Sequence, residues 1–201
     1  GTGSLTINAN YMYAINSKDD LKINGGNVNI ISVGDAIRGK DSVEIKDGNI
    51  TIDSGGDGIK CTKSAVTISG GTMSIKASND ALQAETTIDI SGGIINACGD
   101  RGITAIESIN ITGGTVLATA TDNQVTNITS TQGAMLMTYT AEWKKGNVID
   151  IVNNGTIVLS ATPIKKFTYA LVSAPTLASD TSYSVQTAGT KMQHSTSAEG
   201  N

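Results

Sequence analysis

One carboxylate recurs in this chain between a small or polar residue and an apolar one. It is Asp35 in Gly34-Asp-Ala-Ile, Asp57 in Gly56-Asp-Gly-Ile, Asp80 in Asn79-Asp-Ala-Leu and Asp100 in Gly99-Asp-Arg-Gly-Ile, with Asp122 less regular. Carboxylates stacked about 4.8 Å apart repel by roughly 3–4 kcal/mol per pair at an effective dielectric of 20. A hard cation, calcium (Ca2+) first among them, would offset this by taking carboxylate and carbonyl oxygens from adjacent turns. The other reading is that each Asp caps its own turn through a bond to backbone while solvent screens the rest. The residues leave both open.

Bases lie close by. Arg38 and Lys60 follow Asp35 and Asp57 by three residues, and Lys18, Lys40 and Lys63 share a second offset, the first two followed by Asp19 and Asp41. Acid, base and acid along one corner suit an acidic sugar, whose carboxylate a lysine and a cation would share. Mutual neutralisation of exposed charge is the plainer alternative. Tyr13 occupies the acidic offset in the first, degenerate copy, with Tyr11 beside it. Both are read as candidate sugar-stacking rings, with packing as the alternative.

Other chemistry has little support. The sole histidine, His194, lies in a polar tail without an evident acid or nucleophile, so no triad is in sight. A lysine near a bound cation, Lys60 or Lys63, is the only candidate base for a calcium-dependent polysaccharide lyase. Cys61 and Cys98 sit at different offsets in coils too far apart for a disulfide and are expected as free thiols. Net charge is -4 with signs interspersed, which argues against a nucleic-acid partner. No apolar run is long enough for a membrane span. The sequence opens in mid-pattern, which suggests a mature or truncated product.

The elements that position these residues come from an internal repeat. Copies begin at Leu21, Val43, Val66, Ile88 and Ile109, so the spacings are 22, 23, 22 and 21 residues. Each copy places apolar residues at its positions 1, 3, 8 and 10, two inward pairs from two short strands. Between them lies a four-residue corner whose third position is Gly in all five, as a backbone with positive φ requires. A sixth, degenerate copy is read as beginning at Leu5. A third strand per coil is marked by Ile15, Ile37, Ile59, Leu82, Ile103 and Val125.

The fold class is therefore all-β, a parallel β-helix of stacked coils spanning residues 1–123. Stacking buries the inward columns, which one coil alone leaves bare. From about Gln124 the register fails. The strands near Met135, Val148, Thr156 and Tyr169 read as a C-terminal β cap over residues 124–186, and residues 187–201 read as a frayed polar tail.

The runs from Ser17 to Gly26, Gly34 to Gly48 and Gly56 to Lys60, with the closing stretch from Phe167 to Val185, resemble bacterial carbohydrate-binding β-helix proteins of cellulose and acidic sugars. The resemblance covers nearly the whole chain. It implies a right-handed β-helix similar in shape to polysaccharide lyases but non-catalytic, secreted or attached to the cell surface, and carrying Ca2+. That calcium would fall on Asp35, Asp57 and Asp80. Two departures stand out: the segment that usually precedes such repeats is missing, and the motif loosens at Asn79-Asp-Ala-Leu and Gly99-Asp-Arg-Gly-Ile.

The leading functional expectation is a module for plant-wall or acidic polysaccharides. The alternative is a structural solenoid of a surface filament or matrix, self-associating head to tail by β-augmentation. Ice binding ranks lower, because the outward pairs, from Asn27/Asn29 to Thr115/Leu117, are too mixed for a lattice match.

Overall fold

The computed structural model describes residues 2–122, 127–178, 181–188, 190–192 and 194–198. Every regular element among them is a strand, and the chain winds as a β-solenoid of about six turns. No helix is long and apolar enough to cross a membrane.

The repeat is realised as parallel pairing between equivalent residues. Before the glycine corner, Leu21, Val43, Val66, Ile88 and Ile109 are successive partners. After it, Val28, Ile50, Met73, Ile95 and Val116 are. The strands Asp20–Ser32 and Ser42–Ser54 run through their corners unbroken, whereas later copies split into two. Along a separate sheet Ile15, Ile37, Ile59, Leu82 and Ile103 pair in turn. Val125 lies outside the described residues.

The corner glycines are a geometric requirement. Gly26, Gly48, Gly71, Gly93 and Gly114 all have positive φ, and they stack so closely that a Cβ on Gly71 would lie 2.7 Å from the Gly48 carbonyl oxygen.

Two register expectations change. Leu5 and Ile7 pair with Val28 and Ile30, so Ser4–Ala9 is the strand after a corner, not the one before it. An alternating apolar pair looks the same on either side of a corner, and no glycine follows Ile7 to mark the difference. The ladder before the corner also runs one strand further than the repeat showed, because Ile128 pairs with Ile109.

The edge of Thr115–Ala120 is met by antiparallel strands. Phe167–Ser173 pairs with it, Ala134–Trp143 pairs with Phe167–Ser173, and His194–Ala198 pairs with Ala134–Trp143. The stretch read as a frayed tail thus supplies backbone to the sheet, its alternating Ser and Thr being compatible with a strand. Ile149–Asn153 lies between Thr156–Ala161 and Ser184–Thr187 in a smaller sheet.

Two apolar clusters result. One fills the coils with columns of Ile, Val and Leu. The other gathers round Phe167, Tyr139, Ile149 and Val185, where the Tyr139 ring meets Trp143 and Phe167 edge-on at 6.2 and 5.4 Å. Cys61 and Cys98 are buried free thiols, and burial pushes the Cys98 thiol up from its ordinary pKa.

Candidate functional site

The acidic offset becomes a ladder of bonds between coils. The Asp57 amide donates to Asp35 Oδ1 at 3.0 Å, and the Asp80 amide donates to Asp57 Oδ1 at 3.1 Å. Each carboxylate therefore reaches the backbone of the next coil. Asp57 is 4% exposed and Asp80 fully buried, and each has a base in contact. Lys60 Nζ lies 2.7 Å from Asp57 Oδ2, and Arg101 Nε lies 2.5 Å from Asp80 Oδ1.

Arg101, not Asp100, continues the column: it is the strand partner of Asp80. Asp100 stands one step aside, its amide donating to the Asn79 carbonyl at 2.8 Å. Its largely exposed carboxylate faces Lys165 at 3.4 Å. Counting back two residues from the inward Ile37, Ile59, Leu82 and Ile103 reaches Asp35, Asp57, Asp80 and Arg101. That signal was in the sequence, hidden by the Gly-Asp dipeptide just before it.

The neighbouring outward column is Asn16, Arg38, Lys60, Gln83 and Thr104, in strand register. At its head the Arg38 guanidinium lies 4.5 Å from the centre of the Tyr13 ring, a cation–π contact. Tyr13 does sit at the Asp35 offset, since the Ala14 amide bonds the Asp35 carbonyl just as the Ala36 amide bonds that of Asp57. Tyr11 is 81% exposed.

The second basic offset divides. Lys18 and Lys40 are exposed and form no ion pair among the described residues. Lys63 faces Asp41 at 2.9 Å, because Cys61 pairs with Gly39 and so brings Lys63 level with Asp41. The bond from Lys63 holds the Asp41 carboxyl below its ordinary pKa.

Between the two columns and the next turn lies a polar cleft of about 330 Å³. Asp57, Lys60, Asp80, Gln83 and Arg101 line one part of it, and Asn79, Asp100 and Asp122 the rest. Asp80 Oδ2, Gln83 Oε1 and Thr104 Oγ1 are buried without a hydrogen-bond partner. The Thr104 hydroxyl still stands near enough to favour ionised Asp80. Desolvation dominates there and raises the Asp80 pKa, Arg101 opposes the rise, and the charge of Asp57 adds to it. Sequence reasoning passed over Arg101, Asn79, Gln83 and Thr104.

These residues fit a calcium ion poorly. Calcium takes six to eight oxygens, but the Oδ1 atoms of Asp35 and Asp57 already accept backbone N–H groups. Asp57 Oδ2 and Asp80 Oδ1 are held by Lys60 and Arg101. Among the described residues no group of three or more carboxylate, imidazole or thiol side chains is placed to hold a metal. What the face does offer is an exposed ring, a guanidinium on a second ring, and a cleft lined with amides, carboxylates and bases. Such groups recognise hydroxyl-rich ligands by stacking and by hydrogen bonds in both directions.

No curated protein and no solved structure matches the chain. A family model described as carbohydrate-binding domain-containing protein matches residues 1–200, so this solenoid belongs to that carbohydrate-binding family.

Proposed function

We propose that the chain is a non-catalytic module that binds plant-wall or acidic polysaccharide outside the cell. In this reading the coil is a right-handed turn of three short strands, and the antiparallel C-terminal strands close it as a cap. The glycan lies along the outward columns, from Tyr11 and Tyr13 past Arg38 to the cleft at Asp80. The observation that carries the reading is the Tyr13–Arg38 pair at the head of a polar column, in a chain whose family match spans residues 1–200. The Tyr rings supply flat apolar faces for the C–H side of a sugar. Arg38, free of any ion pair among the described residues, supplies a planar fork for a uronate carboxylate or a pair of hydroxyls.

The test is calorimetric titration with cello-oligosaccharides and oligogalacturonates of wild type, Tyr11→Ala, Tyr13→Ala and Arg38→Gln. The tyrosine variants are expected to weaken binding about tenfold, close to 1.4 kcal/mol, with an unchanged Tm. Arg38→Gln is expected to weaken the acidic ligand more than the neutral one. Full affinity in all three variants would move the site off this face, and no binding of any glycan by wild type would end the carbohydrate reading.

A further inference from the structure

We propose that Lys60 and Arg101 are built-in counter-ions for the inter-coil aspartate ladder, doing within the chain what a calcium ion would otherwise do, so that the ladder holds without metal. The first ground is charge. In the two adjacent outward columns stand three acids, Asp35, Asp57 and Asp80, and three bases, Arg38, Lys60 and Arg101. The pair of columns is neutral without any added ion.

The second ground is geometry. Of the three ladder carboxylates, the two most buried are the two with a base in contact, Asp57 with Lys60 and Asp80 with Arg101. Asp35, which is less buried, has no ion pair among the described residues. The cations therefore sit where desolvation makes an unpaired charge most costly.

The third ground is the column itself. Where the repeat would place a fourth carboxylate, two residues before Ile103, the chain places a guanidinium. An acid replaced by a base at the end of a stack removes one repulsion and adds an attraction in the same step. A divalent ion binding Asp57 Oδ2 or Asp80 Oδ1 would have to displace one of these two contacts. The buried oxygens without a partner, one each on Asp80, Gln83 and Thr104, are fewer than the six to eight that calcium takes.

The experiment is thermal unfolding of the full chain in excess Ca2+ and in chelator, for wild type, Lys60→Gln and Arg101→Gln. Calorimetric calcium titration of all three accompanies it. Wild type is expected to melt at the same temperature in both conditions and to show no saturable calcium binding. Each variant is expected to melt roughly 2–4 °C lower or more in chelator and to recover part of that loss in Ca2+, because removing the resident cation opens the ladder to a foreign one. Lys60 is partly exposed, so Lys60→Gln gives a folded test should Arg101→Gln not fold. A wild type that loses stability on chelation, or that binds calcium saturably with loss in Asp57→Asn, overturns the proposal. So do variants whose loss is the same with calcium and with chelator, since side-chain packing alone would then account for it.

Discussion

Asp41 and Asp80 are the same side chain in opposite settings. Asp41 is at the surface, and the Lys63 bond lowers its pKa. A depressed folded value contributes stability above the ordinary carboxylate value, and that contribution is lost as pH falls through the folded value. For an exposed pair the effect is small, so the sensitive readout is the carboxyl titration itself. NMR is expected to place the Asp41 midpoint below ordinary and to return it towards ordinary in Lys63→Gln; an unmoved midpoint would show that the pair does not persist in solution. Asp80 runs the other way. Its folded pKa is raised, so the folded chain holds this proton more tightly, and stability falls as pH rises from the ordinary value through the raised one. In Arg101→Gln, which removes the opposing partner, the Asp80 midpoint is expected to climb further. A fall there would mean that Arg101 is not its main counter-charge.

At the scale of the element, the corner decides whether coils stack. Gly71 and Gly146 have nearly the same φ, +86° and +83°. A Cβ at Gly71 meets the Gly48 backbone, while one at Gly146 meets nothing within 4 Å. Gly146→Ala should therefore cost only the left-handed backbone, about 1–2 kcal/mol, and Gly71→Ala distinctly more. Equal losses in denaturant unfolding would show that the coils part there at little cost. The inward columns set the other element-scale term. Ile68 is fully buried between Ile45 and Ile90, and Ile68→Ala is expected to lose about 2–5 kcal/mol.

At the scale of the whole molecule, the antiparallel strands and the coils stabilise one another. Leu171 packs in the coil cluster although its strand lies beyond the last coil, and Leu117, on a coil strand, packs in the other cluster. Phe167, the only phenylalanine, is fully buried at the centre of that second cluster. Phe167→Ala is expected to cost about 3–5 kcal/mol. By loosening Phe167–Ser173 it should also bare the edge of Thr115–Ala120, with concentration-dependent association in light scattering. A variant that loses stability yet stays monomeric would mean that the edge is guarded by other means.

Much of this was legible in the residues alone. The period near 22, the glycine at the third corner position and the apolar columns determine a stacked parallel core, because inward side chains at fixed offsets have nowhere to be buried except against their own repeats. The offsets also brought out Asp35, Asp57 and Asp80, and the place of Tyr13 in their column. Tertiary structure alone decided what those groups touch. Copies of 21 to 23 residues leave a one-residue slip free at each loop, and an alternating pattern does not register such a slip until backbone hydrogen bonds set it. That slip puts Arg101 where Asp100 was expected and turns Lys63 from a member of a lysine column into the partner of Asp41, while the seat of Arg38 on Tyr13 is a side-chain contact that offsets do not encode. Only the folded chain shows that Asp57 meets Lys60 and Asp80 meets Arg101, because the pattern fixes offsets and not the contacts that side chains make across them.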